Sequence, residues 1–198
     1  MSKILNNDRL YLLLTFVLFV LTLLLNFYSK ISYCSLIFTF LAFTVNIISE
    51  SQGYKKAIKS VILCTSASFA FAILYNMKYY IYGEPLTGLI FASLLSVFIS
   101  SYISLIFFLK RKLQHSFLTR NFKSLLSHAF IDGLVMSIFF TSKFPMHRVL
   151  SIFYKETAYK LVYSCLLHLF ILTTFYLLKQ VKVSREYLSG LNITQLNN

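Results

Sequence analysis

Asp132 is the side chain whose placement is hardest to maintain. It lies inside the apolar stretch 124–141, where a carboxylate at the bilayer centre costs at least about 2.5 kcal/mol and has to be offset by a partner or a cavity. Ser124, His128 and Asp132 follow one another at intervals of four, and so do Lys160, Ser164 and His168 in the apolar stretch 159–178. That interval puts each trio on one helix face. Two such stripes facing each other would enclose one buried site for a solute or a proton. The competing reading is a hydrogen-bonded pair, Asp132 with His168, that only fastens two helices together.

Hydrolysis fits less well. Ser124, His128 and Asp132 carry the residue types of a hydrolase triad, yet they project side by side from one helix, without the convergence that nucleophile, base and orienting acid need. No HExxH, glycine-rich phosphate loop or carboxylate pair at metal-ligand spacing occurs, and the chain has only 6 Asp and Glu. The expectation is a protein that is not an enzyme and uses no metal or cofactor.

These residues have to be positioned by membrane helices. Of the 198 residues, 58% are hydrophobic and 13% charged, against roughly 25% charged in soluble domains, and mean hydropathy is +0.71. Apolar runs between polar breaks give six spans at about 10–28, 33–48, 60–76, 87–109, 124–141 and 159–178, each near the ~20 residues that cross hydrocarbon. Only intrahelical hydrogen bonding satisfies a backbone there, so the fold class is all-α integral membrane, in one six-span domain over 1–198. The run after Lys3 and Arg9 is long for a secretory signal and ends on Asn26-Phe27-Tyr28, without a small-residue cleavage pattern, so it reads as a retained span.

Formal net charge is +13, which in a soluble chain would raise nucleic acid as a partner. Here the cations sit between apolar runs and read as topogenic. Of the 19 Lys and Arg, thirteen fall on one side: in the N-terminal segment, at 55–59, at 110–123 and in the tail. Six fall on the other: Lys30, Lys78, Lys143, Arg148, Lys155 and Lys160. The positive-inside rule then places both termini in the cytoplasm of a cell bounded by an inner membrane.

Asp132 lies about nine residues into the fifth span, roughly 13 Å from its cytoplasmic end. Because the fifth span runs outward and the sixth returns, His168 is expected at similar depth. The segment 142–158 mixes aromatics with Arg148 and Lys155 at helical spacing, either a helix lying on the outer interface or an ordinary packed loop. Ser93, Ser96, Ser100 and Ser104 form a small-residue stripe that allows close helix approach or lines a cavity. Cys34, Cys64 and Cys165 read as small packing residues. Asn192-Ile193-Thr194 matches a glycosylation acceptor by pattern, on a tail expected to be cytoplasmic.

The segment from Asn46 to Ala57, with Glu50, Gly53 and Tyr54, resembles the D-x-x-x-E-x-x-G-Y-x-x-A signature of the vitamin uptake transporter family, also called the queuosine precursor transporters. Ala92 to Phe108 followed by Lys110 and Lys112, then Arg120-Asn121 with Ser124 and Asp132, and Lys160 opening the last span, look like that family's later features in order. Asn46 stands where the family usually has aspartate, Ser104 where a second aspartate is common, Ala129 where an amide is usual and Phe170 where proline is expected.

The resemblance implies a six-helix fold similar to the substrate-binding component of energy-coupling-factor vitamin transporters, and uptake of a small base such as a 7-deazaguanine. The substrate-binding residues it and the polar pattern suggest are Asp132, His128, Glu50, Asn46, His168, Ser104 and Lys160. A 2-amino-pyrimidinone edge offers adjacent N–H donors that a carboxylate accepts in pairs, and a flat ring stacks on aromatics. Expected partners are the solute, the bilayer and either a coupling subunit or a second copy; no nucleic acid is expected. A structural or assembly subunit of a membrane complex is the alternative function.

Overall fold

The computed structural model describes residues 2–28, 30–75, 80–81, 84–85, 88–110 and 116–195. Its elements are α1 (Ser2–Phe27), α2 (Ile31–Gln52), α3 (Tyr54–Leu74), the two-residue antiparallel strands β1 (Tyr80–Ile81) and β2 (Glu84–Pro85), α4 (Leu89–Lys110), α5 (Phe117–Thr141) and α6 (Met146–Gln195). All six helices contain a stretch long and apolar enough to cross a membrane. The chain is a multi-pass membrane protein whose candidate membrane-crossing elements are all helices. Its helices turn large apolar side chains outward, with Leu74 81% and Ile138 73% exposed, the pattern of a surface solvated by lipid.

The chain divides into two compact units, 1–164 and 165–198. The second consists of the C-terminal part of α6. Within the first, α4 and α5 form the most extensive helix pair, followed by α1 with α2. One apolar cluster joins α1 to α4 through Leu18, Leu41, Ile48, Val61 and Leu105. Another joins the start of α4, the end of α5 and the start of α6 through Leu89, Met136, Phe140, Val149 and Ile152.

Every helix except α4 is longer than hydropathy suggests. α2 continues to Gln52 and α3 begins at Tyr54, so the connection expected over 49–59 shrinks to Gly53. Its φ of +88° is in the region that disfavours side chains, and its N–H still donates to the Ser49 carbonyl at 3.1 Å. α5 begins seven residues before Ser124, capped by Ser116, whose Oγ accepts from the Thr119 N–H at 3.5 Å. The segment 142–158 is neither an interfacial helix nor a packed loop. From Met146 onward it is the start of α6, released by Pro145, a residue suited to a helix start. Val149 and Ile152 there are buried in the core. The cations Lys78, Arg111 and Lys112, and the side chains of Lys3, Lys179, Lys182, Arg185 and the 192–194 triplet, lie outside the described residues.

Candidate functional site

A cavity of about 540 Å³ opens between helices of the first unit. Its walls come from one end of the bundle: Leu25 and Asn26 at the end of α1, Cys34 and Phe38 in the first turns of α2, Leu89 and Ser93 at the start of α4, Met136 and Phe140 late in α5, and Ile152 to Lys160 in α6. Asp132 lines it as well. Counted from Thr141, Asp132 is nine residues from the end of α5, about 13 Å at 1.5 Å per residue. Because α5 starts earlier than expected, Asp132 is nearer this end than the opposite one.

Lys160 is the partner of Asp132. Its Nζ pairs with Asp132 Oδ2 and with Glu156 Oε1 one turn earlier on α6. Lys160 is therefore no loop cation: it is 1% exposed. Ser96 Oγ of α4 donates to Asp132 Oδ1 at 2.5 Å. The Phe38 ring covers this group, 4.2 Å from Lys160 Nζ to its centroid, and stacks on His128 at 4.4 Å and 19°. A cation over an aromatic face gains from the ring quadrupole, more so when desolvated. Three helices thus supply a cation, a carboxylate and a hydroxyl that satisfy one another, as buried polar groups must.

His128 sits behind Phe38, with Nε2 3.0 Å from Ser101 Oγ, and does not line the cavity. His168 belongs to the second unit and is half-buried there. The role anticipated for it beside Asp132 is filled by Lys160.

Asn46, Glu50 and Ser104 gather in a separate polar cluster. Asn46 Nδ2 donates to Asn121 Oδ1 at 2.8 Å and Asn46 Oδ1 accepts from Ser124 Oγ at 3.0 Å. Glu50 Oε1 accepts from Arg120 Nη2 at 3.0 Å, with the guanidinium 4.6 Å from the Phe108 ring centroid. Ser104 Oγ donates back to the Ser101 carbonyl at 3.1 Å. This cluster ties α2, α4 and α5 near the ends opposite the cavity walls. The serine stripe divides its work: Ser96 bonds Asp132, Ser100 and Ser104 bond their own helix, and Ser93 lines the cavity.

Glu156 and Phe38 are the site groups that sequence reasoning passed over, and Ser96 was singled out only as part of the small-residue stripe. Glu156 had a signal, a Glu-x-x-x-Lys pair at helical spacing. Phe38 had none among the 21 phenylalanines. Among the described residues no cluster of three His, Cys, Asp or Glu is placed to hold a metal. Cys34, Cys64 and Cys165 are unpaired thiols. Comparison with protein-family models, with curated proteins and with solved structures finds no match to this chain.

Proposed function

We propose that this chain is an uptake transporter for a small, flat, nucleobase-like or vitamin-like solute, of the 7-deazaguanine type that serves as queuosine precursor, bound between helices beside Asp132. The observation that carries the reading is the cavity of about 540 Å³ with the Asp132, Lys160 and Glu156 charges at its inner wall. That volume suits a small ligand, and buried ionisable groups in membrane spans mark solute and ion pathways. With both termini cytoplasmic, the cavity opens to the outer side of the inner membrane, the side from which uptake starts.

The test is uptake of labelled 7-deazaguanine precursors by cells unable to make them, with and without the chain. Asp132→Asn is expected to insert normally and to abolish uptake; transport at the wild-type rate by that variant sinks the assignment. Co-purification with an ATPase and a coupling subunit separates an ATP-driven complex from a proton-driven carrier. An assembly role is favoured by one observation, that both Asp132 oxygens already have protein partners. Purified protein that no deazapurine or vitamin stabilises against heat would decide for it.

A further inference from the structure

At the inner wall of the cavity one ammonium serves two carboxylates. Lys160 holds Asp132 and Glu156 together, so these three groups carry a formal charge of minus one. Asp132 is fully engaged, by Lys160 at Oδ2 and Ser96 at Oδ1. Glu156 is not: among the described residues only its Oε1 has a partner, and its side chain is 17% exposed against 5% for Asp132. It lines the cavity. A surplus carboxylate charge away from water is costly, and an N–H-bearing cation relieves it with a charge-assisted hydrogen bond.

We infer that the ligand of this cavity carries a positive charge, as an ammonium or amidinium group, and that Glu156 receives it. The inference deepens the solute-binding reading of the same cavity and rests on it. Tyr28 and Tyr159 line the same space and offer aromatic side chains to a flat body attached to that cation, while the Phe38 ring is already covered by Lys160 and His128. Lys30 and Lys155 also border the cavity, but both are exposed, and Lys30 Nζ lies 5.7 Å from the Tyr33 ring centroid. Exposed charges are screened by salt much more than enclosed ones. The enclosed Glu156 therefore sets the charge preference.

The chain has no tryptophan, so indole probes report their own binding by fluorescence. The full chain in lipid nanodiscs is titrated with tryptamine, tryptophol and indole-3-acetate, which present one ring with a cationic, a neutral and an anionic arm. Tryptamine is expected to bind at least about tenfold tighter than tryptophol, and indole-3-acetate weakest. The 7-aminomethyl and 7-cyano forms of 7-deazaguanine, compared by thermal shift, are expected in the same order. Glu156→Gln keeps an acceptor for Lys160 without the charge, and is expected to bring tryptamine and tryptophol within about twofold of each other.

Wild-type protein that binds tryptophol or indole-3-acetate as tightly as tryptamine overturns the charge assignment alone. A Glu156→Gln variant with undiminished preference does the same. Failure of every ring compound to bind overturns the site reading as well. The expected order among indoles, with neither deazaguanine bound, supports the charge assignment and removes the queuosine-precursor reading.

Discussion

Lys160 is the side chain on which the cavity wall depends, because it alone separates two carboxylates on neighbouring turns and helices. Lys160→Met keeps the length of the side chain and removes the charge, leaving Asp132 and Glu156 facing each other. Breaking a buried pair from one side costs about 3–5 kcal/mol. Thermal unfolding in detergent should register that loss, and Lys160→Met with Asp132→Asn should recover part of it, since the double variant removes one cation and one of its anions. Asp132 was legible in the sequence because a carboxylate in an apolar run is singular. Lys160 was placed on the polar stripe of the last span and among the candidate site residues, yet was also counted with the loop cations, because hydropathy does not distinguish a cation at a helix start from one buried beside two acids. Glu156 was hidden by the same misreading: placed in a loop, it had no helix face to share with Lys160.

Among elements, the approach of α5 to α6 brings Asp132 within reach of Lys160, and Gly133 permits it. A Cβ at Gly133 would lie 2.9 Å from Thr157 Oγ1 and 3.0 Å from Phe153 Cε2, both on α6, closer than ordinary contact. Gly133→Ala is expected to push the two helices apart, lowering stability by about 1–3 kcal/mol as overpacking does and weakening ligand binding together with it. Pairing it with Thr157→Ala removes the nearer obstacle and should restore part of both; unchanged melting in Gly133→Ala would show that the helices have room to spare. The number of helices was fully legible, because each apolar run is close to the ~20 residues that cross hydrocarbon. Their ends were not. Gly53 joins α2 to α3 without a loop, and polar residues continue helices by pairing, Glu50 with Arg120 and Glu156 with Lys160, which a hydropathy reading takes for breaks. The Asn46, Glu50 and Ser104 positions were found by family resemblance as ligand contacts. In the structure Asn46 and Glu50 tie α2 to α5, and the Ser104 carbonyl of α4 accepts from Ser124 Oγ of α5, a packing fact that spacing along one chain does not reveal.

For the whole molecule, orientation in the membrane decides what the cavity can do. Two cations used to infer it, Lys160 and Arg120, turn out to be buried, at 1% and 4% exposure, and paired with acids. Neither is a topogenic loop charge. Setting both aside changes the bias from thirteen against six to twelve against five, which keeps its direction. Cysteine labelling tests the result directly. With Cys34, Cys64 and Cys165 replaced by alanine, Lys30→Cys borders the cavity and Lys55→Cys sits exposed on the first turn of α3, at the opposite helix ends. A membrane-impermeant maleimide added to intact cells is expected to label position 30 and to reach position 55 only after permeabilisation. Tryptamine should slow the labelling at 30 and leave that at 55 unchanged, since only the first borders the cavity. Labelling of position 55 in intact cells would reverse the topology, and the cavity would then face the cytoplasm as a site of release or export, incompatible with uptake from this conformation.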